Sequence, residues 1–142
     1  MEFIDFEQIQ ILALVMLGMF LGAVIGFERE SANKPAGLRT HILVAGSAAL
    51  LVALGDVVIA HFYLDMGNRV IQSDPVRIIE AIITGISFLG AGTIIYHRSE
   101  NVVEGLTTAA SILIAAGVGM SVALLQFTLA IGVTVLALVT LR

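Results

Sequence analysis

Cysteine and tryptophan are absent from this sequence, proline occurs twice, and charged residues make up only 13% of its 142 positions. Without cysteine there is no disulfide framework, no thiolate metal site and no cysteine nucleophile, which removes several enzyme classes. A soluble domain carries about 25% charge, so water is not the solvent for most of this chain. The net charge of -4 is spread along the sequence. No basic tract points to nucleic acid or to an anionic lipid patch, and no nucleic-acid partner is expected. Met1 to Gln10 hold Glu2, Asp5 and Glu7 but no Lys or Arg. That start lacks the basic region of a secretory signal, and the first apolar stretch is expected to remain as a helix. Also missing are a Walker A loop, G-x-S-x-G, H-E-x-x-H and a haem attachment motif, so no catalytic residues are assigned and an enzyme is not expected. His41 and His97 are predicted on one side of a membrane and His61 on the other, so they cannot form one metal site.

What the sequence does have is apolar length. Hydrophobic residues make up 58% of it and the mean hydropathy is +1.04. A spanning helix needs about 20 mostly apolar residues. Hydropathy places spans at about 9–27, 42–60, 78–96, 106–119 and 125–141. The predicted fold is all-α: one polytopic transmembrane domain over residues 1–142, with about five helices and no carboxy-terminal soluble domain. The last two spans are separated only by Gly117-Val118-Gly119-Met120-Ser121. A single helix from Leu106 to Leu141 would be roughly 54 Å long against a hydrocarbon core of about 30 Å, so a tight hairpin is expected there.

Five spans put Arg29, Lys34, Arg39, Arg98 and Arg142 on one side and only Arg69 and Arg77 on the other. The positive-inside rule then places the amino terminus outside and the carboxyl terminus in the cytoplasm. Tyr63 and Tyr96 fall at predicted helix ends, where amphipathic rings favour the interface.

A shift of 68 residues aligns Phe20-Leu21-Gly22-Ala23 with Phe88-Leu89-Gly90-Ala91. The same shift aligns Gly37-Leu38 and Thr40 with Gly105-Leu106 and Thr108. The reading is a duplicated helical hairpin, two parallel repeats plus a fifth helix, with the turns Glu28–His41 and His97–Ala109 side by side. Small residues recur at four-residue spacing: Gly18, Gly22, Gly26; Ala45, Ala49, Ala53; Ser87, Ala91; Ser111, Ala115, Gly119. Such faces let helices approach in lipid. They serve either packing within the chain or, for Gly18/Gly22/Gly26, a homodimer.

The densest polar set is Glu28, Arg29, Glu30, Lys34, Pro35, Arg39, Thr40 and His41. Glu28 and Glu30 can meet Lys34 or Arg39 across the turn. The set is either a solvated, self-paired loop or, beside Glu104, Thr107 and Thr108, a docking or ion-sensing surface. On the third helix Glu80, Thr84, Ser87 and Ala91 share a face that is expected to point into protein. Arg77 can pair with Glu80, and Asp74-Pro75 reads as a helix start. Asp56 lies near the outer end of the second helix. Asp56 and Glu80 are either interfacial, paired groups or an outward-facing carboxylate pair for a cation such as Mg²⁺, with Asp65 and Asp74 helping.

Five ordered blocks resemble the MgtC/SapB family: Gly22-x-x-x-Gly26-x-Glu28-Arg29; Lys34-x-Ala36-Gly37-Leu38-Arg39-Thr40; Asp74-Pro75-x-Arg77-Ile78; Gly85-Ile86-x-Phe88-Leu89-Gly90-Ala91-Gly92; and Gly105-Leu106-Thr107-Thr108-Ala109-Ala110. Ser87 stands where the family usually has glycine, and the sequence ends at Arg142 where many members continue into a cytoplasmic domain. The resemblance implies a bacterial inner-membrane protein linked to low magnesium, acid stress and intracellular survival. It also implies action by modulating other membrane proteins, with F-type ATP synthase a partner for some members. A homo-oligomer, dimer favoured, is the expected assembly. A small cation channel or transporter is the alternative.

Overall fold

The computed structural model describes residues 6–65, 75–97 and 102–142. In chain order its elements are α1 (Phe6–Ser31), α2 (Leu38–Asp65), α3 (Pro75–Ala91), β1 (Ile95–His97), β2 (Val102–Glu104), α4 (Leu106–Ala123) and α5 (Phe127–Leu141). The protein is an all-α polytopic membrane protein, with five helices among the described residues. Among the described residues α1, the Leu38–His61 part of α2 and α4 are long and apolar enough to cross a membrane, and α5 is a shorter apolar helix. At 1.5 Å per residue the 17 residues of α3 reach about 25 Å, somewhat less than a full hydrocarbon core.

The elements differ in extent from the hydropathy spans. Helices α1 and α2 run beyond 9–27 and 42–60 at both ends, because the helix continues into polar sequence where its own hydrogen bonds satisfy the backbone. Helix α3 covers Pro75–Ala91 rather than 78–96. It stops where Thr93 turns back, its N–H bonding to the Gly90 carbonyl at 3.0 Å and its hydroxyl donating to the same oxygen at 2.8 Å. The β-branched run that follows enters a hairpin, pairing Ile95 with Glu104 and Tyr96 with Val103. Tyr96 therefore lies in a strand and not at a helix end.

Gly117 to Ser121 is not a turn either. It lies inside α4, and the reversal comes at Leu124–Gln126. The Gln126 N–H bonds to the Ser121 carbonyl and the Leu125 N–H to the Val122 carbonyl, which is a Schellman ending with Leu125 left-handed at φ 59°. The glycine at 119 is there for contact: a Cβ on it would lie 2.0 Å from the Ala45 carbonyl oxygen.

The core is built of small side chains. Ala45, Ala48, Ala49 and Val52 of α2 meet Ile112, Ala115 and Ala116 of α4, with Ile82 from α3. Leu21 and Ile25 of α1 meet Val118 and Val122 of α4 and Ala130 of α5. Without a hydrophobic drive in lipid, such packing depends on close backbone approach. The Gly18/Gly22/Gly26 face supplies it within the chain, since a Cβ on Gly22 would sit 2.5 Å from the His41 carbonyl and one on Gly26 2.8 Å from Leu38 Cα. That face is occupied by α2 and is not free to form a homodimer.

The 68-residue register persists in the helix starts: α2 begins at Leu38 and α4 at Leu106. The two hairpins pack unequally. Helix α1 lies closely on α2, whereas α3 stands at the edge and, among its residues 76–91, buries only Ile82 and Gly90. Its Glu80, Thr84, Ser87 and Ala91 are all exposed, Ser87 and Ala91 beside Ala109, Ala110 and Leu113 of α4 in an open groove, so the polar face of α3 is not buried within the chain. The apolar positions Ile78, Ile82 and Ile86 face α2 instead, because they are the ones that fit its alanine surface.

Candidate functional site

Among the described residues, the end of the bundle where α1, α3 and α5 finish and α2 and α4 begin gathers most of the charged side chains. Helix α1 closes with Asn33 left-handed at φ 53°, with the Lys34 N–H on the Arg29 carbonyl and the Asn33 N–H on the Glu30 carbonyl, both at 3.0 Å. The chain then crosses Pro35 and buried Ala36 and enters α2 at Leu38. Glu30 Oε2 accepts the Leu38 N–H at 2.8 Å. An anion placed there satisfies an orphan donor and complements the positive end of the helix.

Arg29 is buried, 2% exposed. Its Nε donates to Glu28 Oε2 at 2.5 Å and its Nη2 donates to the Leu141 carbonyl. One guanidinium thus joins the last turn of α1 to the last turn of α5, where free carbonyls and the negative helix end favour a cation. Glu28 and Glu30 are committed to Arg29 and to the α2 start; neither pairs with Lys34 or Arg39. Lys34 and Arg39 are exposed and form no ion pair among the described residues.

His41 is fully buried and joins the two turns. Its Nδ1 lies 2.9 Å from the Gly37 carbonyl, so that nitrogen carries the proton. Its Nε2 lies 3.0 Å from Ser111 Oγ, and Ser111 Oγ is also 2.8 Å from the Thr108 carbonyl. A hydroxyl has one proton. That proton serves either the Thr108 carbonyl or the His41 ring, so the two acceptors compete for it. Thr108 is buried, Thr40 is half-buried, and Thr107 and Glu104 are exposed.

Other candidate residues are dispersed. Asp56 lines a funnel of about 640 Å³ between α1, α2 and the start of α5, with Glu7 and Gln10. Glu80 faces outward from α3 and does not pair with Arg77. Asp74 lies outside the described residues. No group of three His, Asp or Glu able to hold a metal occurs among the described residues, and Asp56 and Glu80 are not brought to one cavity. The glycines of the fourth family-like block are expected to serve helix packing; of these, a Cβ on Gly90 would meet Ala109 at 3.4 Å, one on Gly92 would meet only its own helix end, and one on Gly85 would meet nothing within 4 Å. The His41–Ser111 bond and the Glu30 cap were not anticipated from the sequence. The aligned register already put their two turns side by side.

These features define a class: a small polytopic helical membrane protein whose polar chemistry is concentrated at one end of an alanine- and glycine-packed bundle. The chain belongs to the MgtC family, which it matches over residues 15–142. It is 41% identical to Protein SapB of Bacillus subtilis, over 76% of this chain and 46% of that protein. It is 38% identical to Protein MgtC of Salmonella typhimurium, over 87% of this chain and 48% of that one. It is 37% identical to "Putative magnesium transporter YhiD" of Escherichia coli, over 93% of this chain and 59% of that one. The chain spans about half the length of these curated relatives. No solved structure matches it.

Proposed function

We propose that this chain is a non-enzymatic regulator of the bacterial inner membrane that acts by contacting other membrane proteins, with its amino terminus outside and residue 142 in the cytoplasm. The observation that carries this reading is the outward face of α3. Glu80, Thr84, Ser87 and Ala91 are exposed along one side of an apolar helix. Polar groups on membrane helices are costly toward lipid and favour protein, and small residues permit close approach. The exposed cations Lys34 and Arg39 at the charged end offer a second contact surface. Partners in this reading are a second copy of the chain or another inner-membrane protein, the F-type ATP synthase implied by the family resemblance among them.

Because the chain has no native cysteine, single-cysteine variants test the face directly. Thr84→Cys and Ser87→Cys should cross-link to protein in native membranes, while Leu136→Cys, on an exposed position of α5, should not. Equal labelling at all three positions would show that α3 faces only lipid.

A second reading, cation transport, draws on the funnel that holds Glu7 and Asp56 and on the name of the relative from Escherichia coli. Against it, the interior is packed with buried alanine, valine and isoleucine between α2 and α4. Magnesium flux in proteoliposomes that disappears in Asp56→Asn would establish it.

A further inference from the structure

Between α2 and α3 runs an apolar groove of about 450 Å³. Ala48 and Ile82 form its buried floor, and Leu51 and Ile86 stand beside it. On α3 it is opened by Ala81 and by Gly85, where an added Cβ would meet nothing within 4 Å. Among the described residues Arg77 is the one charged residue lining it, and it is exposed and has no ion partner among them.

The geometry points to a binding site for one anionic phospholipid, with an acyl chain lying in the groove and its phosphate on Arg77. Three observations fit this occupant. The lining is apolar apart from Ser47 and Arg77, so the occupant must be mainly hydrocarbon. From Arg77 to Ile86 the groove follows α3 for nine residues, about 13 Å, close to half of a hydrocarbon core of about 30 Å. A single leaflet has that depth, so a lipid whose chain fills the groove places its headgroup beside Arg77. The guanidinium is a planar fork of donors suited to a phosphate oxygen pair, and a zwitterionic headgroup would bring a compensating cation with it. The sequence has no basic tract, and none is needed: one arginine acts because the fold sets it over a chain-sized groove. The site lies on the α2 side of α3, away from Glu80, Thr84 and Ser87, so it is independent of the proposed protein-contact face.

The test is lipid binding to the purified full chain in detergent, by native mass spectrometry. Phosphatidylglycerol and phosphatidylcholine with identical acyl chains are compared in wild type, Arg77→Gln and Gly85→Leu. One arginine near a membrane surface corresponds to a preference of about fivefold for the anionic lipid. Wild type should show that preference, and Arg77→Gln should lose it while still binding both lipids. Gly85→Leu, which fills the groove on an open side of the helix, should weaken both. Glycerol phosphate without acyl chains should not compete. Equal binding of the two lipids by wild type, an undiminished preference in Arg77→Gln, or a wild-type dimer that excludes lipid and is broken by Gly85→Leu would each overturn the proposal.

Discussion

Arg29 stands where the last turns of α1 and α5 meet, and its burial makes its partners indispensable. A guanidinium that is 2% exposed cannot return to water when a partner is removed, and neither can the Leu141 carbonyl that it satisfies. Arg29→Ala should lower stability by about 2 kcal/mol, as expected for losing hydrogen bonds to a charged group, read as an earlier thermal midpoint in detergent. Arg29→Lys should fall between the two, because an ammonium keeps the charge but cannot reach Glu28 and Leu141 as a rigid fork does. An unchanged midpoint in both variants would mean that the α5 end is held by packing alone. The opposite expectation applies at Leu125, an exposed leucine at φ 59° in the C′ position that usually belongs to glycine. Leu125→Gly should raise stability by about 1 kcal/mol by removing the left-handed Cβ clash. A lower midpoint would show that the leucine side chain contributes more than the strain costs.

At the scale of elements, the two hairpins share a register but not an environment. Gly22 and Gly90 are equivalent in the 68-residue repeat, and in each a missing side chain would allow a close backbone approach. A Cβ on Gly22 would meet the α2 backbone at 2.5 Å, whereas one on Gly90 would only touch Ala109 at 3.4 Å. Gly22→Ala should therefore destabilise the chain by about 1–3 kcal/mol, as overpacking does, and Gly90→Ala should leave the thermal midpoint nearly unchanged. Similar losses in both would restore the symmetry of the repeat. This asymmetry also marks the limit of what the sequence reveals. Apolar length showed five helices, and four-residue spacing found the small faces of α1, α2 and α4 that do pack. Spacing cannot say whether a face is covered, which is why the α3 face reads as buried and stands exposed. Nor can it separate a glycine that turns the chain from one that admits a neighbour, as at Gly119. The charged end was legible as a cluster because its residues are close in sequence. Its pairing was not, since Arg29–Leu141 and His41–Ser111 join residues 112 and 70 positions apart.

For the whole molecule, the charges that hold helix ends together differ from those that stand free of ion pairs among the described residues. Glu28, Arg29 and Glu30 hold helix ends together, while Arg39 is exposed and makes no ion pair among the described residues. A residue that serves an external partner should be removable without unfolding the chain. Arg39→Ala is accordingly expected to keep protein level, helix content and thermal midpoint, yet to lose the growth advantage in low magnesium or acid that the family resemblance implies. Arg29→Ala should lose that advantage only together with stability. In the proposed topology, the bias of Arg29, Lys34, Arg39, Arg98 and Arg142 against Arg69 and Arg77 puts this surface in the cytoplasm. A reporter fused after Arg142 that is active only in the cytoplasm should therefore work, and a periplasmic one should be silent. Transport requires a different pattern. Vesicles holding the wild-type chain would pass Mg²⁺ faster than empty ones, Asp56→Asn would abolish that flux, and Arg39→Ala would behave as wild type. The regulatory reading predicts no flux above empty vesicles and a defect at Arg39. With both measurements made on the same three proteins, either outcome removes one reading.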